Sequence, residues 1–337
     1  MAGRRVRAIR AAGIGAIAFL AASLPVPARA NDSAAALDAG GLVLVRDPDI
    51  ALASEDLRIG LDRITVDYVF RNRASAPKTV RVAFPLPAID GAQLAMSALD
   101  LPHADRANFV GFTVTVDGAP VTPLLEERAH LGTNEVTGLL ARHGLPLNPL
   151  RRADLAAALA RLSPAVLGEL EKAGLLSEAK ADAEGLWRSE AKFHWEQTFP
   201  AGRELHVSHA YVPVTGNHLL SREEAATPAY RARYCLDEAG LAGVRRLIAA
   251  SPMKEQGLTR AIEVPYIVTT ARNWAGRIGR FTLTVDKGSP AALVSFCRTG
   301  VRKTGPTTFV WEATDYAPDS DLRILIVSND DGAFGIR

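Results

Sequence analysis

The chain has 337 residues, of which 48% are hydrophobic and 23% charged, so it is long and apolar enough to bury a substantial core. Its 39 basic and 37 acidic residues give a formal charge of +2, but five arginines and no acid precede residue 31, which leaves 34 against 37, about −3, over residues 31–337. The basic sequence pI of 8.6 thus comes from the first thirty residues and gives no indication of nucleic-acid binding, which we do not expect of this chain.

The first thirty residues have the three parts of a secretory signal peptide. Four arginines lie within the first ten residues, an uncharged run follows from Ala11 to Val26, and Ala28-Arg29-Ala30 has the A-x-A pattern of a cleavage site. A membrane anchor is the alternative, but the apolar run is shorter than the roughly 20 residues that span a bilayer. We therefore expect cleavage after Ala30 and a periplasmic protein with no membrane span.

Strand patterns follow in the first part of the mature chain. Apolar residues alternate with other residues from Ile64 to Phe70, which is the period of a half-buried strand. A second strand is predicted over Thr79–Phe84. A third pattern, Phe109–Val116, ends at an Asp-Gly pair that favours a hairpin. These patterns predict antiparallel β-structure.

Helix-forming residues dominate from about 124 to 184. Gly144 and Gly174 are typical helix ends, and Ser163-Pro164 supplies an N-cap and a first-turn proline. Strands resume at Phe193, with one later helix at about 236–250. The sequence thus predicts a mainly β fold with an α insertion, an antiparallel β-sandwich-like domain over 31–337. Two β-domains that flank the helices are the alternative.

A predicted hairpin holds the best candidate for a metal site. Pairing across a three-residue turn at 200–202 would place Glu196 opposite His206, with His194 two residues along on the same face. Imidazole and carboxylate ligands could then converge on one ion, as a metal-dependent hydrolase requires. A cross-strand Glu–His pair on a solvated face is the simpler interpretation.

Two other groups have part of a metal-ligand spacing. Glu127 and His130 have the Glu-x-x-His spacing of carboxylate-bridged metal bundles, although a helix surface pair explains it better. The three aspartates 315, 319 and 321 could ligate calcium, but their spacing misses the EF-hand pattern and favours a solvated turn. The sequence also lacks G-x-S-x-G, P-loop and H-E-x-x-H motifs, so we expect no cofactor.

The segment 272–280 is the strongest candidate for ligand binding. Its residues Arg272, Asn273, Trp274 and Arg277 could stack on a sugar ring or hold an anionic group through bidentate donors. The alternative is that Trp274 folds back into the core while the arginines stay solvated. An envelope protein or a cell-wall glycan is the expected partner.

Cys235 and Cys297 are the only cysteines. An even pair in an oxidising compartment favours a disulfide, and two buried free thiols are the alternative. The bridge would close a loop of about 60 residues and stabilise the fold by roughly 4 kcal/mol.

Short motifs along the whole mature chain resemble one bacterial family. They include Gly40-Gly41-Leu42, Phe84-Pro85-Leu86-Pro87, Asn108-Phe109-Val110-Gly111-Phe112, Thr198-Phe199-Pro200-Ala201-Gly202, Asn273-Trp274-Ala275-Gly276 and Ser295-Phe296-Cys297. Together they resemble domain of unknown function 4424. The resemblance implies an exported envelope protein without an assigned activity, and it carries over no catalytic residue. We expect a non-catalytic binding or structural module, with the metal-dependent hydrolase as the alternative.

Overall fold

The computed structural model describes residues 33–38, 41–94, 101–104 and 106–330. The predicted signal peptide and the cleavage point after Ala30 lie outside these ranges. Within the described ranges, no helix is both long enough and apolar enough to cross a membrane.

Strands make up most of the regular structure, which confirms the predicted mainly β fold with helical insertions. In chain order the strands are β1 (Ser33–Asp38), β2 (Gly41–Val45), β3 (Ile50–Ile59), β4 (Ile64–Asn72), β5 (Lys78–Pro85), β6 (Ile89–Asp90), β7 (Thr113–Val116), β8 (Ala119–Val121), β9 (Leu124–Leu131), β10 (Asn134–Glu135), β11 (Arg188–Phe199), β12 (Glu204–Tyr211), β13 (Gly216–Ser221), β14 (Leu258–Tyr266), β15 (Ile278–Asp286), β16 (Leu293–Ser295), β17 (Arg302–Lys303), β18 (Thr308–Tyr316) and β19 (Leu322–Ser328). The helices are α1 (Gly91–Leu94), α2 (Thr137–Arg142), α3 (Arg152–Leu159), α4 (Pro164–Lys172), α5 (Arg222–Ala226), α6 (Pro228–Tyr234) and α7 (Glu238–Ala249), and short 3-10 helices cover Lys254–Gln256 and Thr269–Asn273.

The strands form three sheets. The first has the order β10-β9-β11-β5-β1-β2, with β6 also paired to β11. The second has the order β17-β18-β15-β3-β4-β12-β7-β8, and the third has the order β13-β14-β19-β16. Among the described pairs of strands, β3 and β15 run parallel and the others run antiparallel.

The first two sheets pack face to face through their apolar sides. Every second residue of Ile64–Phe70 is buried, so the predicted half-buried strand is confirmed. The ring of Phe84 on the first sheet lies 5.1 Å from that of His209 on the second, and Phe193 stacks on Phe112 at 4.5 Å. The alternation of side chains in each strand therefore builds the core of a sandwich.

The third sheet joins this core on one side and carries helices on the other. The hydroxyl of Tyr266 lies 3.4 Å from that of Tyr68, which connects the third sheet to the second. The opposite face packs against α5, α6 and α7. The helix predicted at about 236–250 is confirmed as Glu238–Ala249, with Asp237 accepting a hydrogen bond from the Gly240 amide at its start.

The helical excursion begins later than predicted. Residues 124–131 form β9, which pairs along β11, because partners in a sheet override the helical preference of a Leu- and Glu-rich segment. The three predicted helices follow as α2, α3 and α4, and Ser163 caps the last of them. They pack in a separate apolar cluster around the buried Trp187, whose indole N–H donates to the Leu147 carbonyl.

The predicted disulfide is confirmed. Cys235 and Cys297 are bonded across 62 residues of sequence, with their Cα atoms 5.0 Å apart. The bridge ties the end of α6 to the segment that follows β16.

Candidate functional site

Trp274, the centre of the predicted binding loop, lies in the core. Its side chain is 1% exposed, and its ring meets Phe70 at 5.0 Å and Phe199 at 6.0 Å between centroids. Phe70 and Phe199 are themselves 5.5 Å apart, so the three rings form one cluster. The indole face is therefore unavailable for stacking on a sugar from solvent. This is the alternative in which Trp274 folds back into the core.

The other residues of the loop separate into a structural and an exposed group. The side chain of Asn273 donates to the Ser33 hydroxyl at 2.8 Å, and the backbone carbonyl of Asn273 accepts from the backbone amide of Asp47 at 2.6 Å. Asn273 thus fastens the N-terminal strand to the sandwich. Arg272 and Arg277 are exposed.

A β-bulge lies beside this loop. The register between β3 and β4 shifts between Leu52 and Ser54, so Ala53 has no partner in that ladder. On the neighbouring strand β15, the parallel ladder with β3 begins at Arg280, directly after Gly279. A Cβ at position 279 would lie 2.5 Å from the carbonyl oxygen of Ala53, which explains the glycine. Bulges of this kind often occur next to binding sites, where they redirect side chains.

An open cavity of about 550 Å³ lies at this bulge. We call it the arginine groove, and its lining residues are Ala51, Leu52, Ala53, Arg71, Asn72, Arg73, Gly202, Arg277 and Gly279. These residues come from the adjoining ends of four neighbouring strands, β15, β3, β4 and β12. Because strands in a sheet are about 4.8 Å apart, the groove spans roughly 14 Å across them.

The three arginines of the groove come from distant parts of the sequence. The guanidinium nitrogens of Arg73 lie 3.7 Å from the position that a Cβ on Gly276 would occupy, which places them against the residue that precedes Arg277. Arg277 donates a hydrogen bond to the backbone carbonyl of Asp315 at 3.2 Å, and the side-chain carboxylate of Asp315 lies 3.7 Å from the same guanidinium nitrogen. In the β4–β12 register Arg71 faces Glu204. Among the described residues, however, those that line the groove include no acidic side chain.

Asn72 holds the two segments that carry these groups. Its amide nitrogen donates to the carbonyls of Ala76 and Phe199, at 2.9 and 3.0 Å, and its amide oxygen accepts from the Ala74 amide at 2.9 Å. Its own carbonyl accepts from the Gly202 amide at 3.1 Å. The buried Asn72 therefore fixes the turn that begins at residue 73 against the turn at 200–202.

The predicted metal site does not form. The strands β11 and β12 lie in different sheets, so the hairpin pairing is wrong: His194 is in register with Ala83, and His206 with Val69. Glu196 pairs instead with Arg81, at 2.7 Å. Burial and the positive charge of Arg81 lower the pKa of His194, while the carboxylates of Glu126 and Glu196 act in the opposite direction. Across the described residues, no group of three or more His, Cys, Asp or Glu could hold a metal.

The two weaker metal candidates have other surroundings. Glu127 and His130 lie on the strand β9, where residues three apart point to opposite faces. The Asp321 carboxylate accepts from the amides of Val268 and Thr269 and from the Thr269 hydroxyl, so it caps a short 3-10 helix. The strand position corrects the helix surface pair. Asp315 and Asp319 are exposed, as expected for a solvated turn, and Asp321 departs from that expectation.

Sequence reasoning identified Arg277 and missed Arg71 and Arg73. The two missed arginines occupy alternate positions at the end of a strand, a pattern that is common on solvated sheet faces. Only the crossing of the chain at 200–202 and the bulge at Ala53 bring them to the same groove as Arg277.

A family model matches most of the chain. Residues 30–325 match the family described as "Domain of unknown function (DUF4424)". No curated protein matches. Among solved structures, the chain is similar to a "putative nutrient binding protein" from Legionella pneumophila, at 16% identity and a TM-score of 0.44, over 84% of this chain and 68% of that one. It is also similar to an M1 zinc metallopeptidase from Deinococcus radiodurans, at 11% identity and a TM-score of 0.21, over 83% of this chain and 42% of that one. Similarities this low carry no structural or functional argument.

Proposed function

The chain belongs to the family described as DUF4424, and from this premise we propose that it is a non-catalytic binding module of the cell envelope. Its ligand carries an anionic group that the arginine groove receives. The observation that supports this proposal is the convergence of Arg71, Arg73 and Arg277 on one groove without an acidic side chain in its described lining.

The size and chemistry of the groove suit an anionic ligand. A volume of about 550 Å³ lies within the range of roughly 300–1,000 Å³ typical of small-molecule sites. Each guanidinium presents a planar fork of N–H donors that fits an oxyanion in a bidentate way. A bound anion would also offset the mutual repulsion of the arginines that line the groove.

The described lining offers no group for acid–base or nucleophilic chemistry. It consists of Arg, Asn, Gly, Ala and Leu residues. Arginine stays protonated in proteins, so it does not exchange protons with a substrate at neutral pH. The nitrogen and the oxygen of the Asn72 side-chain amide are both hydrogen-bonded to backbone groups. Binding without catalysis is therefore the function that this site supports best.

A panel of small anions tests the binding proposal. Acetate, glutamate, succinate, citrate, phosphate and pyrophosphate are each added at constant ionic strength, and the Tm is measured by thermal unfolding. We expect at least one of them to raise the Tm of the wild-type protein but not of an Arg73→Gln/Arg277→Gln variant. The matched control removes two exposed arginines of the helices on the third sheet, Arg222→Gln/Arg245→Gln. The proposal fails if no anion distinguishes the groove variant from the wild type and the control.

The location in the periplasm is part of the same proposal. The signal pattern of residues 1–30, the family match that begins at residue 30 and the disulfide all support export. Mass spectrometry of the protein from a periplasmic fraction should find an N-terminus at Asn31. Full-length protein that is retained in the cytoplasm would contradict it.

A further inference from the structure

We propose that the ligand of the arginine groove is a phosphoryl compound with at least two negative charges in one compact group, such as pyrophosphate or a phosphomonoester. This inference rests on the proposed binding function and specifies the class of its ligand. It follows from the charge of the groove, from the kind of hydrogen bonds it can make and from its shape.

The positive charge of the groove is larger than a single bound carboxylate can compensate. Three guanidiniums carry three positive charges, and the carboxylate of Asp315, 3.7 Å from Arg277 and outside the lining, offsets part of that charge. Arg73 lies against Gly276, next to Arg277, so two of the cationic groups share one end of the groove. A monoanion would leave part of the remaining charge uncompensated, whereas a phosphomonoester carries about two negative charges at neutral pH.

The described side chains of the groove can donate hydrogen bonds to a ligand but have no free acceptor for one. Arginine has five N–H donors and no acceptor, and the carboxamide of Asn72 is already engaged. Sugar hydroxyls are donors as well as acceptors and need acceptor side chains, which the described lining does not supply. Phosphoryl oxygens are acceptors, so their requirements match those of the three arginines.

The shape of the groove also disfavours a sugar ring as the bound group. Phe70 and Trp274, which precede the arginine segments in sequence, are buried, and the described lining contains no aromatic side chain on which a ring could stack. The length of roughly 14 Å leaves room beyond the phosphoryl group. That remaining space lies over Ala51, Leu52 and Ala53, where an uncharged part of the ligand would fit.

Titration calorimetry with defined anions at constant ionic strength tests the ligand class. We expect pyrophosphate and glycerol phosphate to bind at least tenfold more tightly than succinate or acetate. Citrate serves as a compact carboxylate of similar total charge, and we expect it to bind at least tenfold more weakly than pyrophosphate. The Arg73→Gln variant should lose at least tenfold in pyrophosphate affinity, and Arg73→Lys, which keeps the charge but not the fork, should also lose affinity.

The outcomes separate this inference from the proposed function. Citrate or succinate binding as tightly as pyrophosphate, with the same loss in Arg73→Gln, would overturn the phosphoryl class and leave an anion-binding groove. Pyrophosphate binding that is equal in wild type and Arg73→Gln would place the anion elsewhere and overturn the inference. If no anion of either class binds, the proposed function fails as well. Circular dichroism of each variant verifies that it is folded, and the Arg222→Gln/Arg245→Gln control should bind like the wild type.

Discussion

The buried His209 should make the stability of this protein fall steeply in mild acid. Its ring is 2% exposed and contacts the rings of Tyr68, Phe84, Phe112 and Trp195 at centroid distances of 5.0–5.4 Å. Burial lowers the pKa of His209 from 6.5 to about 3. The core of the sandwich therefore contains a neutral imidazole that the folded protein resists protonating.

The size and direction of the effect follow from the two pKa values. Between pH 3 and pH 6.5 the unfolded chain binds a proton at this site and the folded protein does not, so the free energy of unfolding decreases as the pH is lowered. The contribution is fully present above pH 6.5. About 2–3 kcal/mol of it should be lost by pH 4.5, and about 5 kcal/mol below pH 3.

Urea unfolding between pH 7.5 and pH 4.5 measures this contribution. The comparison is with His209→Phe, which keeps an aromatic ring in the cluster and removes the titration. His194 and His218, whose pKa values burial lowers, are present in both proteins, so their contributions cancel in the comparison. The difference in slope between the two proteins thus isolates His209. Equal losses of stability in both would refute the reasoning.

Three further predictions concern the aromatic cluster, the disulfide and the bulge. Trp274→Ala should cost about 3–5 kcal/mol in urea unfolding because it empties a buried ring site, and a loss below about 1 kcal/mol would contradict the packing described. The Cys235→Ser/Cys297→Ser variant should lose roughly 4 kcal/mol relative to the oxidised protein, and the reduced wild type should match it; an unchanged Tm in both would show that the bridge contributes nothing. Gly279→Ala places a Cβ 2.5 Å from a backbone oxygen and should lower both the Tm and the anion affinity, whereas Gly168→Ala, where a Cβ meets nothing within 4 Å on α4, should raise the Tm or leave it unchanged. Equal effects of the two alanine variants, measured by thermal unfolding and calorimetry, would argue against the bulge as a constraint on the groove.

Local patterns predicted those parts of the fold that depend on neighbours in sequence. The alternation over Ile64–Phe70 and the cap at Ser163 are such cases, because side-chain direction and capping are set within a few residues. The composition of segment 124–131 predicts a helix, yet the segment pairs with β11 as a strand. Composition describes the preference of an isolated segment, and a sheet edge that needs a partner outweighs it.

The error at 200–202 has a different cause. A three-residue turn that ends in glycine suits a hairpin, and the same residues also allow the chain to cross from the first sheet to the second. The crossing is favoured because β11 already has β5 and β9 on its two edges, while β12 is placed between β4 and β7. Nothing in the turn itself indicates these partners. The proposed metal site depended on the pairing of these two strands, so it disappeared with the hairpin.

The aromatic cluster around the buried Trp274 is continuous in sequence with the walls of the arginine groove. Each residue of its aromatic cluster immediately precedes a segment that lines the groove: Phe70 comes before Arg71, Phe199 before the turn that contains Gly202, and Trp274 before the loop with Arg277. One packed cluster therefore anchors three walls that are far apart in sequence. A site held in this way loses little backbone freedom when it binds, which favours affinity for a small ligand. In the proposed function, Trp274 therefore acts as a rigid base for the groove walls and not as the stacking platform that the loop composition suggests. On this reasoning, Trp274→Ala should weaken anion binding even at temperatures where the variant remains folded.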